Sequence, residues 1–243
     1  MRIIFVVIFT FSIYNLSAQG TLQQLKGIAN KAEKIINPST LSQQEITIGL
    51  KEALSVGVKN SVIKASKKGG FNNNKLIKIP FPQDAAKMKK TLVKVGMQSQ
   101  VDKFEQTLNG AAEEASRHAQ DIFINVIKNM NIKEAVSILN GDLNAATKYL
   151  ASQTRKDLYL KFRPIVIRSM EKVSLMKYWG VLAQAYNSIP LTKKIDTDLE
   201  DYVTNQAIDG LFVLMAKEEE NIRKNPSARV SDILKKVFNK THD

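Results

Sequence analysis

The stretch SQQEITIGLKEALSVGVKNSVIKA, residues 42–65, decides the fold class. Ser42 and Glu45 stand three apart, the spacing at which each side chain reaches the other's backbone N–H and caps a helix start. Behind them Ile46, Leu50, Leu54, Val58 and Val62 recur near the 3.6-residue period, so the stretch is predicted to be a helix with one apolar face. Gly49, Ala53 and Gly57 are four apart and fall on one line. Glycine inside a helix costs about 1 kcal/mol relative to alanine. Two on one line therefore predict another element packed closely against them.

The same pattern runs through most of the chain. After Lys67-Lys68-Gly69-Gly70, residues 67–82 read as the one irregular extended loop. Asn72-Asn73-Asn74 favour turns, and Pro80 and Pro82 hold the apolar piece extended. Ile77, Ile79 and Phe81 alternate, as in an arm pinned by its apolar side chains. Helices are predicted over about 83–95 and 99–130, the latter with a seam of Val101, Phe104, Leu108, Ala111, Ala115 and Ile122. Asn131 and Glu134 cap a short helix to Asn140-Gly141. Next come helices over 143–151 and from Thr154 and Asp157 to about Val173, kinked near Pro164. Another runs from Ser174 to about Ser188. Thr197 and Glu200 suggest a capping box for a helix to Lys224, and Asn225-Pro226 restarts a last one to Phe238. Short connections imply antiparallel neighbours. The expected fold is an all-α, multi-helix bundle, with one domain over residues 42–238.

Composition bounds the function. The 243 residues include no cysteine, which excludes disulfides, thiol catalysis and zinc–thiolate sites. Arg2, the apolar run Ile3–Ile13 and Leu16-Ser17-Ala18 follow the order of a secretory signal peptide, so residues 1–18 are expected to direct export to the periplasm or cell envelope. A polar lead-in, 19–41, precedes the domain, and 239–243 form a frayed tail. No later segment is apolar for long enough to span a bilayer. The net charge is +13 and is unevenly placed. Residues 19–95 hold 14 lysines, no arginine and four acids. Lysine is a point charge suited to diffuse attraction, whereas arginine suits bidentate phosphate recognition. Lys51, Lys59, Lys64, Lys67, Lys68, Lys75 and Lys78 are the candidate binding residues. Their expected partner is an anionic envelope polymer, lipid headgroups or an acidic protein; a solvated, solubilising face is the plainer reading. Phe71 and Phe81 are the only aromatics among them, too few for nucleic-acid stacking, and nucleic acid is not expected.

Several segments together resemble the bacterial domain-of-unknown-function family 4197. They include Gly49-Leu50-Lys51-Glu52-Ala53-Leu54, Gly70-Phe71 with Asn74, and Ile77 with Ile79-Pro80-Phe81-Pro82. Ile138-Leu139-Asn140-Gly141, Ala145-Ala146-Thr147 and Phe162-Arg163-Pro164-Ile165-Val166 follow. Tyr202-Val203-Thr204, Asp209-Gly210-Leu211-Phe212, Glu219, Ile222-Arg223, Pro226 and Arg229 complete the set. The resemblance covers about 41–238 and implies an exported, all-helical envelope protein. It transfers no activity.

No catalytic residue, metal site or cofactor is expected. His118 on the predicted seam and His242 near the end are isolated. Glu113-Glu114 and Glu218-Glu219-Glu220 read as solvated helix faces, because adjacent helical residues point about 100° apart. Glu219 and Arg223 are four apart in the orientation of a helical ion pair, and with Arg229 they form the best candidate polar site. Asp209, if buried, requires an ionic partner. Tyr178, Trp179 and Tyr186 read as core. Three functions follow: a non-enzymatic envelope protein docking through its lysines, a carrier of a lipid or other apolar ligand between helices, or a hydrolase built on Glu219, Arg223 and Arg229.

Overall fold

Two capping boxes start helices where the side-chain spacing requires them. In α1 (Gln43–Ser66) the Ser42 hydroxyl accepts from the Glu45 N–H, and the Glu45 carboxylate accepts from the Ser42 N–H at 2.8 Å. In α5 (Ile132–Leu139) Asn131 and Glu134 do the same. The computed structural model describes residues 41–195, 197–229 and 231–239. The expected signal segment, most of the lead-in and the last four residues with His242 lie outside them.

The remaining helices are α2 (Ala86–Lys94), α3 (Gln98–Ser116), α4 (Gln120–Asn129), α6 (Ala145–Lys172), α7 (Leu175–Asn187), α8 (Leu199–Lys224) and α9 (Asp232–Asn239), with single 3-10 turns at Gln83–Ala85 and Pro226–Ala228. Among the described residues there is no strand, and the fold is all-α as expected. α8 is the central element and packs against α6, α1 and α3; α1 is in turn covered by α4, α5 and α9. The near-continuous apolar run of α8 explains its position, with Leu211, Phe212, Leu214 and Met215 all buried.

Four boundaries differ from the sequence reading, the simplest being the last helix, which begins at Asp232 while Asn225-Pro226 opens only a 3-10 turn. The predicted helix over 99–130 breaks at Arg117-His118-Ala119, where the N–H groups of all three residues bond three residues back. The break changes the helical phase, so that Phe123 rather than Ile122 is buried and meets the Phe212 ring edge-on at 5.7 Å. His118 consequently leaves the seam for an exposed turn. The two helices predicted over 143–173 are one. Thr154 is buried inside it, its hydroxyl donating to the Leu150 carbonyl at 2.6 Å, which removes the helix-start role read into it. Pro164 also lies within this helix, on the exposed side, where water can serve the carbonyl that proline leaves unbonded. Finally, α8 is capped by Asp198, which accepts from the Asp201 N–H. Thr197 instead donates to Asp84, and Glu200 pairs with Arg163.

The glycine line on α1 has the close neighbour predicted. A Cβ on Gly49 would stand 2.7 Å from a methyl of Val237, so α9 rests directly on that backbone. The loop is equally tight. Phe71, Ile77, Ile79 and Phe81 are buried, and Phe81 joins Phe104 and Trp179 in a cluster with ring centroids 5.1–5.9 Å apart. Phe71 and Ile77 sit over Gly210 of α8, where a Cβ would come within 2.6 Å of the Phe71 ring. Gly210→Ala should therefore overpack this contact and lower unfolding free energy by about 1–3 kcal/mol in urea titrations. An unchanged midpoint would show that the ring gives way freely.

Candidate functional site

Two polar clusters stand out. The first is the predicted set Glu219, Arg223 and Arg229, which the fold brings together and buries. The Glu219 carboxylate accepts from the N–H groups of Ala146 and Thr147 and from the Thr147 hydroxyl, at 2.8–2.9 Å. These are the first free donors of α6. The Arg223 guanidinium pairs with Glu219 at 3.0 Å and donates to the carbonyls of Ile138 and Leu139, the last of α5. Arg229 donates to the carbonyls of Ile222 and Arg223 at the end of α8. Both guanidinium groups lie against the Phe238 ring of α9. An anion thus sits on a helix N-terminus and cations on two C-termini, each satisfying groups the helices leave open. The geometry is that of a junction holding helix ends. The cavity beside it, lined by Leu50, Leu54, Leu150 and Phe238 among others, holds about 30 Å³, room for roughly one water. An acyl chain does not fit there.

The acidic runs are not the solvated faces expected. Glu218 is buried, paired with Lys64 and bonded to Asn60. Glu113 is buried under the loop, accepting from the N–H groups of Gly69, Phe71 and Asn72 at 3.0–3.2 Å. Glu113 in the first run and both Glu218 and Glu219 in the second turn inward, because a bare loop backbone, a lysine and a helix start with its arginine wait there. Only Glu114 and Glu220 are partly solvated, and each is held below the usual carboxylate range by hydrogen bonds from lysine: Lys172 for Glu114, Lys224 and Lys217 for Glu220, the latter down to about 2. Asp209 is half-exposed and pairs with Arg155 at 2.6 Å. Trp179 and Tyr186 are core, as read from sequence. Burial first, with nearby carboxylates second, pushes the phenols of Tyr149 and Tyr202 up to about 12, so both stay protonated at neutral pH.

The second cluster is the loop. Asn109 clamps it by accepting from the Ile79 N–H at 2.8 Å and donating to the Ile79 carbonyl at 2.9 Å, while Glu113 holds its other arm. With its apolar side chains turned in, Lys67, Lys68, Lys75 and Lys78 are all exposed. The 16 residues of the loop contain no acid, and none of the four lysines enters an ion pair among the described residues. The α1 lysines are placed differently. At 100° per residue, Lys51 and Lys64 point roughly 140° apart and Lys59 faces outward. Lys51 donates to the Lys128 carbonyl at 2.7 Å and Lys64 is committed to Glu218. The seven candidates therefore divide into four exposed on the loop and three dispersed around α1.

A cleft of about 790 Å³ opens beside the loop, lined by Lys68, Asn72, Asn73, Lys103, Gln106 and Tyr178 among others. It adjoins a second hollow that shares Asn72, Lys103 and Gln106 and adds Lys78. The Lys103 ammonium stands 5.9 Å from the centre of the Tyr178 ring. Sequence reasoning missed Lys103 and Gln106 because they lie outside the lysine-rich third, and it read Tyr178 as core although only its neighbour Trp179 turns inward, leaving Tyr178 half-buried at the cleft. The only signal was the run of asparagines beside Gly70. Among the described residues no cluster of three or more histidine and acidic side chains is arranged to hold a metal ion, and no helix is long and apolar enough to cross a membrane.

Comparison with known families matches residues 40–239 to the family described as "Protein of unknown function (DUF4197)". No curated protein and no solved structure matches the chain.

Proposed function

From a chain that belongs to the DUF4197 family of proteins of unknown function, we propose an exported, non-enzymatic envelope protein that attaches to an anionic surface through its loop lysines. One observation carries this reading: four lysines with no ion-pair partner among the described residues stand on an acid-free loop whose backbone is fixed by Glu113 and Asn109. A fixed backbone presents its charges with little ordering left to do on contact, and preordering of this kind favours association. The +13 net charge supports the same reading at longer range. The polar cluster a hydrolase would require, Glu219 with Arg223 and Arg229, is engaged with helix ends. The lipid-carrier alternative lacks support for a different reason, since the apolar cavity beside that cluster holds only about one water.

Lysines at an anionic membrane contribute about 1 kcal/mol each. The full chain should sediment with phosphatidylglycerol vesicles at low salt and be released at high salt. Changing Lys67, Lys68, Lys75 and Lys78 to glutamine should weaken binding by on the order of a hundredfold or more. A control with the same net charge changes the exposed Lys156, Lys177, Lys193 and Lys236 to glutamine and should bind nearly as the parent does. Equal losses in the two variants would mean that net charge alone is responsible.

A further inference from the structure

We propose that the groove between the loop and α3 is a seat for an acidic polysaccharide chain, an inference that rests on the reading of these lysines as anion-binding. The two hollows that share Asn72, Lys103 and Gln106 run along α3. From Ser99 to Glu114 that is roughly 22 Å of helix at 1.5 Å per residue. A concave channel of this length admits a slender chain along its floor.

The charges of the groove divide into satisfied and available. Glu113 is used by three loop N–H groups, Glu114 by Lys172 and Arg117, and Glu105 by Lys89. Asp102 accepts only from the neutral amide of Gln98, at 2.7 Å, and keeps its charge at the far end of the second hollow, so the cationic part of the groove is the stretch from Lys68 through Lys103 to Lys78. Lys68, Lys78 and Lys103 have no carboxylate partner among the described residues and flank the amides of Asn72, Asn73 and Gln106. Ammonium groups meet carboxylates as point charges, tolerant of geometry. Amide side chains both donate and accept, which suits hydroxyl groups that do the same. Carboxylates alternating with hydroxyls along a narrow chain are the chemistry of a uronic-acid polymer. A peptide would require pockets for alternate side chains, and a nucleic acid would require open aromatic faces. Here the one ring, Tyr178, lies beside the Lys103 ammonium.

The test titrates the full chain calorimetrically with a short oligogalacturonate. Its methyl ester, polyglutamate and inorganic phosphate are titrated in parallel, and sedimentation with phosphatidylglycerol vesicles is measured separately. The oligogalacturonate should bind saturably, and more tightly than the ester, the peptide or phosphate. Asn72→Ala combined with Lys103→Gln should weaken it by about tenfold or more while leaving vesicle binding unchanged. Lys67→Gln with Lys75→Gln, outside the groove, should do the reverse. Thermal melts monitored by circular dichroism keep the comparison among folded proteins. The inference is overturned if the groove variant binds the oligogalacturonate as the parent does, or if the ester, polyglutamate or phosphate binds as tightly. An unaltered oligogalacturonate isotherm in the groove variant, with vesicle binding lost in the four-lysine variant, sinks the groove and spares the surface reading. Retained vesicle binding in the four-lysine variant sinks the surface reading itself.

Discussion

Arg223→Ala should lower the unfolding free energy by about 3–5 kcal/mol, the range seen when one partner of a buried ion pair is removed. Arg223 is only 7% exposed, and its loss takes the paired charge from buried Glu219 and a guanidinium donor from each of the Ile138 and Leu139 carbonyls. The ends of α5 and α6 lose their shared anchor at once. Urea titration followed by far-ultraviolet circular dichroism measures the loss through the midpoint. Combining Arg223→Ala with Glu219→Gln should cost less than the two single changes added, because the second removes the charge the first left unpaired. A drop below about 1 kcal/mol for Arg223→Ala would show that water replaces the guanidinium and that the junction is not a structural anchor.

Glu113→Ala comes second, with an expected loss of about 3 kcal/mol. An unpaired buried donor costs about 1–3 kcal/mol. Glu113 serves three, of which the Phe71 N–H is fully buried and those of Gly69 and Asn72 are partly so. Hydrogen exchange at Gly69, Phe71 and Asn72 should accelerate well beyond that in α1, and vesicle affinity should fall although no cation has been removed. The second effect separates preordering from charge: if the loop loosens while affinity holds, fixing the backbone contributes nothing to docking.

Much of this was written plainly in the chain. The capping boxes at Ser42 and Asn131, the line of Gly49 and Gly57, and the alternating Ile77, Ile79 and Phe81 are local patterns, and local patterns survive folding. The errors lie where tertiary contacts override them. Ile122 continues the seam by periodicity, yet Phe212 makes a better partner for Phe123, and the helix breaks to allow it. Thr154 resembles a helix start, but a buried hydroxyl can bond back to Leu150 without ending a helix. The inward turn of Glu113 and Glu218 depends on partners 41–44 and 154–158 residues away, which no helical period encodes. For the candidate site, the i, i+4 spacing revealed the pair Glu219–Arg223 but not the helix ends it serves. The lysine count identified the loop, while the groove required α3 to be laid beside it.

The methyl of Val237 against the bare backbone at Gly49 sets an order on manufacture. Of the described helices, α1 leaves the ribosome first and α9 last. Until the final turns emerge, the strip of α1 destined for Leu234, Val237 and Phe238 has no native cover. A chain lacking α9 therefore leaves the backbone at Gly49 without the Val237 methyl and bares that strip of α1 to proteases.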